Sequence, residues 1–289
     1  MTFVTKKMTV SYVVNEEMDA YVRHMLLRAR TKGWRVFVFN SLGCGDSPVT
    51  TPQFYLASFL GDMREVVSHV TGRYPNANVY SVGWSVAANI LVRYLGQESH
   101  NCPLSGAVSL CNPFNLVVAD EDFRKGFNII YDKALSKALR KIFNKHVLLF
   151  EDIGAEYNIP LAANAKSVRE FDDALTRVSF GFKSMDEYYS SSSGSDSIKH
   201  VKTCLLCIRA ANDPIAPNRG IPSEDIEPGH ILLPAPNGII LISLLPIMSK
   251  FVPPFCSPLF MNLSGLKAKG SSQAVGSLPI SATRKFTEA

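Results

Sequence analysis

The pentapeptide Gly83-Trp84-Ser85-Val86-Ala87 sets a serine between the apolar run 77–82 and the helix-forming run 86–94. A strand that turns abruptly into a helix strains the backbone at the turn, so small residues are needed where the two elements approach. Gly83 and Ala87 supply them. The following helix aims its free N–H groups and positive end at the serine, which favours negative charge beside it. The chemistry this could support is nucleophilic attack by an exposed hydroxyl, with the backbone N–H of Val86 as the oxyanion donor. The commoner form of this turn ends in Gly rather than Ala, and the string also fits an ordinary strand-to-helix turn. A serine hydroxyl is a weak nucleophile at neutral pH and needs a histidine base, usually oriented by a carboxylate. Asp213, in Asn212-Asp213-Pro214 just past the apolar run 201–208, is the candidate carboxylate. It also fits a turn aspartate ahead of a proline.

The elements that must position these groups follow from periodicity. Residues 8–14 read as a strand, and 16–32 carries Met18, Tyr21, Val22, Met25 and Leu26 at helical spacing with Gly33 as the stop. Strands are predicted at 34–39, 77–82, 106–111 and 201–208, with helices at about 60–70 and 86–95 between them. Strands alternating with helices imply a parallel sheet covered on both faces, with ligands at the carboxyl ends of its strands. From about 112 to 200 the pattern is mostly helical, with amphipathic runs at 133–150 and 165–178 and a serine-rich loop at 190–195. This block reads as a helical insertion above the sheet.

The chain has 289 residues, 46% of them hydrophobic and 19% charged, enough for one large globular domain. The net charge of +5 comes from scattered basic residues, which gives no support to nucleic-acid binding. Six widely spread cysteines without a signal-peptide pattern read as reduced thiols of an intracellular protein, cytoplasmic or membrane-associated. Cys204 and Cys207 have the C-x-x-C spacing but no second ligand pair, so both are expected to be buried structural thiols, and no metal is expected. Neither phosphate-binding glycine pattern follows a strand, so no nucleotide cofactor is expected. The charge-free window 231–249 contains Pro234, Pro236, Asn237 and Pro246, which break any spanning helix; peripheral membrane contact stays open.

A set of motifs carries a specific resemblance: Tyr21-Val22-Arg23-His24, Gly33-Trp34-Arg35, the segment 40–48, Gly83-Trp84-Ser85, Leu110-Cys111-Asn112-Pro113 and Asn212-Asp213-Pro214-Ile215-Ala216-Pro217. Over about 20–226 the chain resembles the plant embryogenesis-associated α/β hydrolases, whose relatives are acylglycerol lipases and short- to medium-chain esterases. The resemblance implies an α/β-hydrolase fold over 1–238, a lid-like insertion at about 112–200, and a divergent, poorly ordered tail at 239–289. It further implies Ser85 as nucleophile and Asp213 as acid of a Ser-Asp-His triad that hydrolyses small lipid esters without a cofactor. A hydrolase remnant that binds a lipid or a partner without catalysis is the alternative.

The sequence departs from the family pattern twice. The loop that donates half of the oxyanion hole is glycine-rich in the family and here reads Val13-Val14-Asn15-Glu16-Glu17-Met18-Asp19, without glycine, and the strands ahead of it have no counterpart. The family's histidine follows the strand after the acid. That strand is expected to end near Gly238, where Ile239-Ile240-Leu241-Ile242 stands instead of the histidine, and His230 is the last histidine of the chain. A change of reading frame or splicing near Gly238 would account for this, since His-Leu codons read one base out can yield Ile-Leu. His230 is thus the one downstream candidate base, placed before the strand and also compatible with a surface position. The expected sheet is incomplete at both edges.

Overall fold

The computed structural model describes residues 8–13, 20–41, 52–53, 57–150, 156–210, 212–226 and 239–244. Among them six parallel strands form one sheet: β1 (Met8–Val13), β2 (Arg35–Asn40), β3 (Val79–Trp84), β4 (Gly106–Leu110), β5 (Leu205–Ala210) and β6 (Ile239–Leu244). Their order is β2-β1-β3-β4-β5-β6. The chain first steps outward from β1 to β2 and then returns to the other side of β1, so β1 and β3 flank the point where strand order reverses. An open parallel sheet leaves a crevice at that point, at the carboxyl ends of its strands. β3 is buried at every residue and β5 at all but the last, as expected of strands covered on both faces.

Helix α1 (Ala20–Thr31) connects β1 to β2, α2 (Gly61–Arg73) leads into β3, and α3 (Val86–Glu98) joins β3 to β4. α1 stops where the sequence predicts. Gly33 takes φ +77°, the Gly33 N–H donates to Arg30 at 2.9 Å and the Trp34 N–H to Ala29 at 3.0 Å, which closes the last turn with a left-handed residue. α3 is apolar nearly all round. Its Ile90, Leu91, Tyr94 and Leu95 pack with Met63, Val67 and Val70 of α2 and Leu205 of β5 into the main core. Gly96 lets a second element approach, since a Cβ there would stand 2.5 Å from the Ser197 carbonyl oxygen.

Between β4 and β5 lies the helical insertion: α4 (Leu116–Phe123), α5 (Ile129–Lys145), α6 (Ile159–Asn164), α7 (Val168–Phe171), α8 (Arg177–Ser179) and α9 (Met185–Ser192). It has a core of its own in Phe143, Phe150, Phe171 and Leu175. The expected helix at 133–150 begins and ends earlier, at Ile129–Lys145, and a separate 3-10 turn covers Val147–Phe150. The expected helix at 165–178 begins at Val168, because Ser167 Oγ accepts the Glu170 N–H at 3.1 Å, and a π-helical turn, Asp172–Thr176, joins α7 to α8.

Three expectations need correction. The serine run 190–195 is not a loop throughout: α9 continues to Ser192, and Ser195 starts a 3-10 helix. These serines are used as local hydrogen-bonding groups, with Ser191 Oγ donating to the Glu187 carbonyl at 2.6 Å. Residues 239–244, assigned to the tail, form β6, which pairs in parallel with β5 from Leu205↔Ile239 to Ala210↔Leu244. Six consecutive residues, five of them large and apolar, suit a strand in a parallel sheet. The sheet thus extends one strand further at that edge, while residues 231–238, where the sequence places the end of a strand, lie outside the described residues. Finally, Cys207 is buried, with its thiol pushed up to about 12 by desolvation, but Cys204 is exposed; both are free.

Candidate active site

Ser85 stands between β3 and α3 with φ +52° and ψ −124°, a conformation that side-chain-bearing residues rarely adopt. Holding it costs on the order of 1–3 kcal/mol, so the surroundings must fix it. They do so from three sides. The Ser85 N–H donates to the Leu110 carbonyl at the end of β4 at 2.8 Å, and the Ser85 carbonyl accepts from Ala88 at 2.9 Å and Asn89 at 3.1 Å. Gly83 is required by contact rather than by its own dihedrals: a Cβ would lie 2.7 Å from the Ala87 carbonyl oxygen and 2.9 Å from Ala88 Cα. The Val86 N–H, first in α3, has no intrahelical acceptor, as the first donors of any helix lack one.

Ser85 and Val86 line a cavity of about 160 Å³ that runs into the insertion. Apolar groups of α4 and α5 form much of its wall, among them Leu116, Leu135, Leu139 and Ile142. Polar side chains also line it, among them Asp120, Asp172 and Tyr189. Asp120 is held by Arg169 at 2.6 Å and Arg124 at 3.0 Å. Asp172, brought inward by the π-helical turn, accepts the Tyr189 hydroxyl at 3.0 Å, and burial pushes its carboxyl up to about 7. The serine run anchors this roof to the sheet. Asn89 of α3 donates to the carbonyls of Ala57 and Ser192 at 3.1 and 2.8 Å, and Arg93 donates to Ser193 at 2.8 Å.

Asp213 follows β5 on the same side of the sheet as Ser85. Its Oδ1 accepts the N–H groups of Ile215 at 2.9 Å and Ala216 at 3.1 Å, so it does close a turn around Pro214. Burial pushes its carboxyl up, opposed by those two N–H groups, by the Cys111 thiol that hydrogen-bonds it, and by Arg209. Cys111, just past β4, has φ +49° and is the neighbour that sequence reasoning did not assign to the site. Its signal was present, because Cys111 is the first residue past a strand adjacent to those carrying Ser85 and Asp213.

No histidine joins them among the described residues that line the cavity. His24, His69, His100 and His200 are exposed on or beside helices and His146 follows α5. His230 and the segment 14–19 that follows β1 lie outside the described residues. β1 ends beside the serine strand, with Tyr12 in register with Gly83. No group of three or more metal-ligating side chains occurs among the described residues, and none of their helices is long and apolar enough to cross a membrane.

A model of the alpha/beta hydrolase fold matches residues 17–225. The chain belongs to the α/β hydrolase family. The parallel sheet covered by helices is accordingly that family's fold. It is 62% identical over 248 residues to the embryogenesis-associated protein EMB8 of Picea glauca, covering 84% of this chain and 54% of that protein. It is 30% identical over 207 residues to the phospholipase ABHD3 of Homo sapiens, covering 71% and 50%. With a monoacylglycerol lipase of Saccharomyces cerevisiae it shares 30% identity over 234 residues, covering 76% and 50%. The chain thus spans about half the length of the curated relatives it matches. The resemblance read from the motifs is borne out, as are the hydrolase family and its fold.

Proposed function

We propose that this hydrolase cleaves carboxylic esters of lipids, as an acylglycerol lipase or carboxylesterase, through an acyl-enzyme on Ser85. The observation that carries the proposal is the strained serine, φ +52°, at the mouth of a largely apolar cavity. In the reaction Ser85 Oγ attacks the ester carbonyl carbon while its proton passes to a base, and the Val86 N–H faces the developing oxyanion. Collapse expels the alcohol with that proton and leaves the acyl-serine; water then releases the acid and restores the hydroxyl. Asp213 is the acid that orients the base. His230 is the only histidine after Asp213 in the sequence and is the candidate for that base. The lipase names of the relatives agree with a lipid ester as substrate.

A second reading, a hydrolase remnant that binds lipid without cleaving it, is favoured by one observation: the Asp213 carboxylate is hydrogen-bonded by the Cys111 thiol, and no histidine is beside it among the described residues. Removing one member of a triad leaves only the residual rate supplied by binding and oxyanion stabilisation, about a thousand- to ten-thousandfold over water. Hydrolysis of a monoacylglycerol and of a short-chain p-nitrophenyl ester separates the two readings. Turnover lost in both Ser85→Ala and His230→Ala supports the triad; turnover unchanged in Ser85→Ala overturns the proposal.

A further inference from the structure

We propose that Asp172, Thr176 and Tyr189 form a polar subsite in the wall of the Ser85 cavity that receives a hydroxyl group of the substrate. The proposal rests on the lipid-ester reading for what that substrate is, though not for the binding itself. All three side chains line the cavity that Ser85 also lines. The Tyr189 hydroxyl donates to Asp172 Oδ2 at 3.0 Å, and the Thr176 side chain hydrogen-bonds the same carboxyl. Asp172 and Tyr189 are buried, so the pair is withdrawn from bulk water.

Packing gives no reason for a carboxyl at this place. Its neighbours Phe171, Ala174 and Leu175 belong to the insertion's apolar core. Burial first, and then the like charge of Asp120 of α4 and Asp132 of α5, push the carboxyl up to about 7 against the hydrogen bonds from Thr176 and Tyr189. A carboxyl so placed costs stability at neutral pH, where an apolar side chain of similar size would not. The backbone is irregular at the same residues: the π-helical turn Asp172–Thr176 interrupts the helix, and such turns recur at functional sites. What the cluster supplies is hydrogen-bonding capacity in a largely apolar wall. A carboxyl has about four acceptor positions, which Tyr189 and Thr176 do not exhaust. A substrate hydroxyl can donate to one of the rest, and near neutrality it can also accept from the protonated fraction of the carboxyl. An ester presenting only hydrocarbon would leave that capacity unmet, so the subsite discriminates against it. Two sources carry the chemistry: the alcohol side of a polyol ester, and a hydroxylated acyl chain.

The test is calorimetric titration of the full chain carrying Ser85→Ala, which does not turn over ester, with two matched pairs. Monohexanoylglycerol is set against propyl hexanoate, and methyl ω-hydroxyhexanoate against methyl hexanoate. Because hydrocarbon alone favours the unhydroxylated ester of each pair, the readout is the ratio of Kd values within a pair and its change on substitution. Adding Asp172→Leu should shift that ratio against the hydroxylated ester by about tenfold in at least one pair, and Tyr189→Phe should shift it in the same direction by less. The pair that responds tells which side of the ester carries the hydroxyl. Asp172→Asn, which still donates and accepts, should restore most of the ratio. Ser190→Ala, exposed on α9, should leave both ratios in place. Circular dichroism melts check that each variant is folded. Hydrolysis of the same esters by the parent chain reports the hydrolase reading separately, so a chain without turnover still shows whether the subsite binds. Ratios unchanged by both Asp172→Leu and Tyr189→Phe, an Asp172→Asn chain no different from Asp172→Leu, or no binding of any of the four esters would each overturn the proposal.

Discussion

Ser85 shows how little sequence is needed to mark a strained position and how much structure is needed to hold it. Gly83 and Ala87 are legible as small residues, and the reason is now specific: the Cβ that Gly83 lacks would meet backbone of α3, which cannot rotate away. Asp213 is equally legible as a turn former and as a candidate acid, and its Oδ1 closes the turn. Asp172 was not legible. It stands in an amphipathic run like many exposed aspartates, and only the π-helical turn and Tyr189 reveal it as a buried carboxyl with a value of about 7. That value gives a pH dependence of defined sign. A carboxyl whose native pKa is raised stabilises the fold fully below its unfolded value near 4, and that contribution is lost as pH rises through about 7. Asp172→Asn should therefore match the parent in urea unfolding at about pH 4 and exceed it, by on the order of a few kcal/mol, at about pH 8. Equal pH profiles for the two proteins would remove the buried carboxyl from the account.

The first five strands and the first three helices were legible because apolar runs and 3.6-residue periodicity are strong over that length. The boundaries in the insertion were less so, though two of them had a chemical signal. Ser167-Val168-Arg169-Glu170 and Ser184-Met185-Asp186-Glu187 both have the Ser-x-x-Glu spacing, and both serines cap a helix at 3.1 Å. In each case the glutamate reaches back to the N–H one residue before the serine, at 2.8 Å. The serine run 190–195 misled because serine marks loops by composition, whereas here buried serines act as connectors. Ser193 Oγ accepts the Leu116 N–H at 2.9 Å and donates to the Tyr189 carbonyl at 2.8 Å, tying α4 to α9. Ser193→Ala strands a buried N–H and should cost about 1–3 kcal/mol, read as a lower midpoint in chemical denaturation. Ser190→Ala, whose exposed hydroxyl bonds only within its own helix, should stay within about 0.5 kcal/mol of the parent.

At the scale of the whole molecule, six parallel strands turn the separate motifs into one site. The order β2-β1-β3-β4-β5-β6 brings the ends of β3, β4 and β5 side by side, and with them Ser85, Cys111 and Asp213. The insertion roofs that edge of the sheet and adds the apolar wall of the cavity and its buried Asp172-Tyr189 pair. Sequence patterning reached five strands of the sheet and the helical roof; it could not reach the roof's inner chemistry, which depends on which face of each helix turns inward. The central claim is that Ser85 is a nucleophile in a site of this architecture. Incubation of the folded chain with a fluorophosphonate probe, followed by proteolysis and mass mapping, tests it most directly. The account predicts one adduct, on the peptide containing Ser85, abolished by Ser85→Ala; folded protein that takes up no probe, or takes it up equally after Ser85→Ala, would contradict it.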